Sequence, residues 1–139
     1  MQVHSYAQVD NLRIVKIILL KYNRGMKIIL PGNPISTQHL YGRRGHMTYM
    51  TKEGKCLKEQ YQWAAKSQWK GDPTDKKVKI EIKLYFKNNL RRDWDNWHKL
   101  SCDSLTGIVW VDDSQVYCAT VEKFIDKENP RIEFVIEIL

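Results

Sequence analysis

Apolar and polar residues alternate most regularly from Val78 to Phe86. Val78, Ile80, Ile82, Leu84 and Phe86 fall on one side of an extended chain, and Lys79, Glu81, Lys83 and Tyr85 fall on the other. Period-two alternation of this length predicts a β-strand with one buried face. Arg131–Leu139 repeats the pattern, with Ile132, Phe134, Ile136 and Ile138 inward. Gln115–Phe124 reads as a further strand, and Val109–Val111 as a short one. The period changes between Thr51 and Trp69, where Leu57, Tyr61, Ala64 and Ala65 fall at helical spacing behind Thr51 as N-cap. A second helix is predicted after Lys87–Arg92, with Asp93 or Asp95 as its N-cap and Gly107 as its stop. Trp97, Leu100, Ser104 and Leu105 share one side of it.

The N-terminal part is less regular. Val15–Leu19 and Met26–Leu30 nearly repeat one another around Lys21–Gly25, which has turn chemistry. That is the pattern of a hairpin, and equally of chance similarity. Residues 1–25 are read as an extension, an extra strand or a disordered arm, ahead of a domain spanning 26–139. Pro31–Pro34 stops a strand and opens a loop that runs through Tyr41–Gly45, followed by a short strand at Met47–Met50. Helices alternating loosely with strands predict a single α/β domain, a mixed sheet with two helices packed on one face. If Val78–Phe86 and the strand after the second helix are parallel neighbours, the crossover between them is right-handed.

Composition narrows the partners. The chain has 139 residues, which suits one domain with a core of its own. Lys and Arg number 23 against 16 Asp and Glu, giving a formal charge of +7 and implying an anionic partner, nucleic acid first among them. Cys56, Cys102 and Cys118 show no paired spacing for zinc or a disulfide framework and read as reduced, buried or half-buried thiols. Ile14–Leu20 is interrupted by Lys16 and too short to cross a bilayer, so no membrane role is expected.

The chemistry lies between Arg91 and Asp113. Asp93 and Asp95 stand at the expected helix start, with Asp95, Lys99 and Asp103 at i, i+4 and i+8 on one face. Asp112 and Asp113 end the short strand that returns beside it. Carboxylates brought together repel one another, and a cation among them offsets the repulsion. Mg²⁺ prefers such oxygen ligands and shares them with water and substrate phosphate. It would lower the pKa of a bound water and stabilise charge on a phosphate, while Lys99 is spaced to donate to the same phosphate. Taken singly, each acid is more often a cap, a surface pair or a polar turn; their convergence beside a basic loop favours the site.

The string Arg-Arg-Asp93-x-Asp95-Asn96-x-x-Lys99-x-x-x-Asp103-x-Leu105-x-Gly107, then Asp112-Asp113-x-Gln115-Val116, resembles the RusA family of Holliday junction resolvases. Pro31-Gly-Asn-Pro34-Ile-Ser and Lys123 before the closing strand fit the same layout, so the resemblance covers about residues 26–139. It implies a homodimeric, Mg²⁺-dependent endodeoxyribonuclease, with Mn²⁺ as a substitute metal, that nicks four-way DNA junctions symmetrically. It marks Asp93, Asp95 and Asp113 as essential acids, Lys99 as the essential lysine and Asp112 as a neighbouring acid. It also implies a bacterial or phage-encoded cytoplasmic protein. The extension and the tryptophans at 94 and 97 depart from the family pattern.

Arg43, Arg44, Arg91, Arg92, Lys87 and Lys123 are the candidate phosphate contacts, which position a backbone without reading sequence. Tyr41, Trp69, Trp94 and Trp97 are candidates for stacking on unpaired bases, with core packing the stronger reading for Trp97. Trp63 and Trp110 are assigned to the core. Two rival readings stand beside the resolvase: a flap or single-strand endonuclease with a similar acidic site, and a non-catalytic basic DNA-binding module. An enzyme acting on small phosphates is disfavoured by the charge and by the lack of a Gly-rich phosphate loop.

Overall fold

The computed structural model describes residues 25–139 together with Asn11, Arg13 and Ile14, which are helical. The remainder of the N-terminal extension, including the Val15–Leu19 half of the near-repeat, lies outside the described residues. The described chain runs through β1 (Met26–Pro31), a short helix α1 (Thr37–Leu40), β2 (Tyr41–Arg44), β3 (Met47–Met50), α2 (Lys52–Gln68) and β4 (Val78–Phe86). It continues through α3 (Lys99–Leu105), a 3-10 turn (Asp113–Gln115), β5 (Val116–Ile125) and β6 (Arg131–Ile138). Four strands form a mixed sheet in the order β1-β6-β4-β5, and β2 and β3 form a separate hairpin.

β4 behaves as its alternation requires. Val78, Ile80, Ile82, Leu84 and Phe86 are all buried and the residues between them half-buried. Each such side chain contributes about 1.5–3 kcal/mol when taken from water. β4 pairs antiparallel with β6 in a register that sets Ile80 beside Ile136, Ile82 beside Phe134 and Leu84 beside Ile132. It pairs parallel with β5, the neighbour relation expected across the intervening helix. Tyr61 and Ala65 of α2 and Leu100 and Leu105 of α3 close the core over this face.

Several expectations are corrected. Val109–Val111 is not a strand. Ile108, Val109 and Trp110 are buried in a tight turn that follows α3, where Trp110 makes isolated bridges to Thr74 and Thr106. The turn is closed by the Gly107 amide donating to the Trp110 carbonyl at 2.7 Å, with Gly107 at φ +87°. Tyr41–Arg44, expected as loop, pairs with Met47–Met50 across Gly45-His46. Gly45 at φ +60° ahead of a residue of negative φ suits the two-residue turn that matches strand twist. Trp63 is 76% exposed rather than in the core, because it lies two positions from both Tyr61 and Ala65 and so faces away from them. Cys56 and Cys118 are exposed and Cys102 is half-buried, so the thiols are free but not collectively interior.

Two polar devices complete the sheet. The Gln68 side chain both donates to the Ile29 carbonyl and accepts from the Ile29 amide, each at 2.7 Å, so α2 satisfies the free edge of β1 as a strand would. Glu133, on the sheet face opposite the core, is 4% exposed and accepts from Lys27 at 2.9 Å and Arg131 at 3.2 Å. Burial pushes its carboxyl pKa up, but the hydrogen bonds from Lys27 and Arg131, the charge of Lys27 and the Tyr85 hydroxyl outweigh burial and hold it below the usual value.

Two outcomes follow. A Cβ at Gly54 would run into the Leu40 carbonyl and the Met50 side chain. Gly54→Ala is therefore expected to lower stability by about 1–3 kcal/mol in urea unfolding, although alanine is the better helix former. Because the Glu133 pKa is lowered in the fold, its contribution is present above the unfolded value of about 4.3 and fades as pH falls through the folded value. Glu133→Gln should cost about 1–3 kcal/mol at pH 7, and that difference should shrink in unfolding curves taken below pH 4.

Candidate active site

The candidate chemistry of the sequence sits on the connection between parallel strands β4 and β5. Asp93 and Asp95 precede α3, and Asp112 and Asp113 follow the turn that leaves it. The first pair was expected to cap the helix, but α3 begins only at Lys99, behind His98, which makes no side-chain cap bond. Its carbonyl hydrogen bonding explains the delay. The Asn96 carbonyl accepts from the Thr37 amide at 2.8 Å and the Thr37 hydroxyl at 3.0 Å, so it is engaged by α1. The Asn96 side chain also donates to Ser36 Oγ at 3.1 Å. Asp95 therefore lies outside the helix, and of the expected triad only Lys99 and Asp103 share a helical face.

The loop from Lys87 to Asp93 is held in a similar way. The Asn33 side chain accepts from the Lys87 amide at 3.0 Å. The Arg92 guanidinium donates to the Asn88 carbonyl at 2.9 Å and Asn88 Oδ1 at 2.6 Å, and lies 4.1 Å from the centre of the Phe86 ring. Lys123, reaching from β5, donates to the Arg92 carbonyl at 2.6 Å. Two of the expected phosphate contacts, Arg92 and Lys123, thus also brace the loop ahead of Asp93. Arg43, Arg44, Lys87 and Arg91 are exposed, the first two at the tip of the β2–β3 hairpin.

The second acidic pair has its own anchor. Asp112 caps the 3-10 turn, accepting from the Ser114 amide at 3.1 Å and from the Ser114 hydroxyl, and the hydroxyl followed by the amide lowers its pKa. Gln115 accepts from the Asp112 amide at 2.8 Å and donates to the Thr74 and Lys76 carbonyls at 2.7 and 2.8 Å. Asp113 is left exposed. The roles of Gln115, Asn96 and Ser36 as braces were not read from the sequence, although Asn96 and Gln115 stand inside the motif.

Burial, as the larger effect, lowers the pKa of His98, and the charge of Asp95 opposes it. Burial first, then Asp103 and Asp113 against Lys99, push the Cys102 thiol up to about 12. The Cys102 amide donates to the His98 carbonyl, so these two residues stack along the helix. Lys99 donates to Asp103 Oδ2 at 3.1 Å. Among the described residues no three acidic, His or Cys groups stand close enough to hold a metal by themselves. The exposed Asp93, Asp95 and Asp113 carboxylates enter none of the ion pairs among those residues, which leaves their oxygens open. Open, hard oxygen donors in small number fit Mg²⁺, which usually keeps several waters and completes its shell on substrate phosphate.

Trp94, between the two acids, is 61% exposed and stacks on His98 with ring centres 6.4 Å apart. Trp97 packs edge-on against Phe86, as core packing predicts, and its indole N–H is buried without a partner among the described residues. Trp69, a candidate for stacking, is buried instead and donates to the Asp72 carbonyl. Tyr41 is half-buried and donates to Asp103 Oδ2 at 2.5 Å.

Comparison with known proteins identifies the family. The family model described as Endodeoxyribonuclease RusA matches residues 31–137. The crossover junction endodeoxyribonuclease rusA of Enterobacteria phage 82 is 31% identical over 110 residues, 78% of this chain and 91% of the relative. The crossover junction endodeoxyribonucleases RusA of Escherichia coli (strain K12) and Shigella sonnei (strain Ss046) are each 30% identical over the same shares. A match that spans both acidic pairs, the lysine and the strands that carry them places the chain in a family: it belongs to the RusA endodeoxyribonucleases.

Proposed function

We propose that residues 26–139 form a Mg²⁺-dependent endonuclease that resolves four-way DNA junctions by paired nicks. The observation that carries the reading is the set of exposed carboxylates, Asp93, Asp95 and Asp113, which enter no ion pair among the described residues and lie on the segments that flank, in sequence, the short helix beginning at Lys99. Asp93, Asp95 and Asp113 would share the metal with water and substrate phosphate, since no three of the described acids stand close enough to hold it by themselves, and Asp112 is engaged as the cap of its turn. When bound, Mg²⁺ supplies a water acidic enough to attack near neutral pH and charge to stabilise the phosphate, and Mn²⁺ can replace it. Water adds to phosphorus, one P–O ester bond breaks, and the departing oxygen leaves as a hydroxyl. Lys99 donates to the phosphate or the departing oxygen as its charge grows.

Exposed Arg43, Arg44, Lys87 and Arg91 neutralise the flanking backbone, with Arg92 and Lys123 supporting the loop from behind. Trp94 offers its free face to an unpaired base at the branch point. A four-way junction has approximate two-fold symmetry, and a C2 homodimer presents two equivalent sites to it. No helix among the described residues is long and apolar enough to cross a membrane. The family relatives are bacterial and phage proteins, and we propose the cytoplasm as the site of action.

The direct test incubates labelled four-way junction, flap and linear duplex with the protein in Mg²⁺ or EDTA, alongside Asp95→Asn and Lys99→Ala. The reading expects symmetric nicks in the junction that need Mg²⁺, are abolished in Asp95→Asn and fall about 10²-fold or more in Lys99→Ala. Preferential cutting of the flap would make it a flap endonuclease, and tight binding with no cutting in any divalent metal would make it a binding module. Arg43→Ala should weaken junction and duplex binding alike and reduce the log–log salt slope by about 1.

A further inference from the structure

Lys99 is not simply an exposed lysine with a helical partner. Its ammonium donates to Asp103 Oδ2 at 3.1 Å and lies 4.9 Å from the centre of the Tyr41 ring. The Tyr41 hydroxyl donates to the same oxygen, Asp103 Oδ2, at 2.5 Å. One carboxylate oxygen thus receives both donors, and the ammonium is fixed from two directions, by the carboxylate and by the aromatic face. An exposed Lys–Asp pair at i, i+4 alone holds a long side chain loosely. A third group approaching from another element removes that looseness.

Tyr41 comes from the base of the hairpin that carries Arg43 and Arg44, and it is itself well anchored. Its amide donates to the Thr37 carbonyl. The preceding residue, Leu40, offers its carbonyl to the Thr51 amide at 2.9 Å and the Thr51 hydroxyl at 3.1 Å. Thr37 is in turn bonded to Asn96 of the acidic loop. The hairpin base, the acidic loop and α3 are therefore joined through a few short polar links, and Lys99 ends one of them. Its side chain is 53% exposed, with only one of three ammonium hydrogens engaged by Asp103, so two remain for an incoming phosphate.

We propose that Tyr41 and Asp103 are positioning residues for Lys99, which they hold at a fixed place relative to the basic hairpin, so that a backbone seated on Arg43 and Arg44 meets the ammonium in register. This inference rests on the nuclease reading for Lys99 and extends it to two residues that touch neither metal nor phosphate.

The test measures single-turnover nicking and junction dissociation constants for the full chain with Tyr41→Phe, Asp103→Asn and Asp103→Glu, with urea midpoints to confirm folding. Competitive acetylation of Lys99, read by mass spectrometry without DNA, supplies a measure independent of activity. Tyr41→Phe is expected to lower the nicking rate about tenfold, and Asp103→Asn by more, while the dissociation constants stay within about twofold. Asp103→Glu should recover part of the rate. Lys99 should be acetylated faster in Tyr41→Phe and Asp103→Asn than in the wild-type chain. Unchanged nicking and unchanged acetylation in Tyr41→Phe, which keeps the ring and its packing, would overturn the proposal. So would a loss that appears wholly in binding. If the wild-type chain cuts no junction, the nuclease reading has failed, and acetylation still decides whether Tyr41 and Asp103 hold the lysine.

Discussion

An irregular segment has no regular ladder for its backbone hydrogen bonds, and residues 87–98, which carry two of the acids, are such a segment. Arg92 satisfies the Asn88 carbonyl from within it, and further partners come from elsewhere in the chain. Asn33 accepts from the amide of Lys87, Lys123 donates to the carbonyl of Arg92, and Thr37 donates twice to the carbonyl of Asn96. These links reach from the loop after β1, from β5 and from α1. Three separate elements thus brace one loop, and a loop braced in this way holds its side chains at fixed places. The same logic governs the second acidic pair, where a single glutamine side chain satisfies three backbone groups around Asp112 and the start of β4.

Separating the acids into two pairs also has an electrostatic reason. Three carboxylates pressed together without a cation would raise one another's pKa and destabilise the fold. Here Asp93 and Asp95 precede the helix, and Asp113 follows it, each open to solvent. In the proposed reading, metal and phosphate would offset the cost of bringing their charges together. Asp103 differs from them: it already has its cation in Lys99 and a further donor in Tyr41.

The sequence was most legible where one physical effect dominates. In β4 the alternation of five buried side chains admits one strand and one face, and the parallel relation to β5 follows from the helix between them. In α2 the spacing of Tyr61 and Ala65 locates the buried side, although the bulk of Trp63 suggested a core role that its phase forbids. Short apolar runs were misleading. Val109–Val111 has the composition of a strand, but its burial comes from a turn folded beneath the helix, and three residues carry no usable period. The hairpin at Tyr41–Arg44 was hidden because its pairing depends on a two-residue turn at Gly45 rather than on alternation.

For the site, residue types were legible and geometry was not. The acids and Lys99 could be named from spacing, yet Asp93 and Asp95 looked like caps until the Asn96 carbonyl was seen to be engaged by Thr37. Arg92 and Lys123 were read as phosphate contacts; Arg92 also bonds locally to Asn88, and the bond from Lys123 to the Arg92 carbonyl is a tertiary fact that no local pattern encodes. The most direct measurement of the central claim, that these acids place a metal against the scissile phosphate, substitutes sulfur for a non-bridging oxygen at the nicked position of a four-way junction. The account predicts that cleavage in Mg²⁺ is strongly slowed for one sulfur diastereomer and restored by Mn²⁺, whereas equal rates for oxygen and both sulfur forms in Mg²⁺ would contradict it.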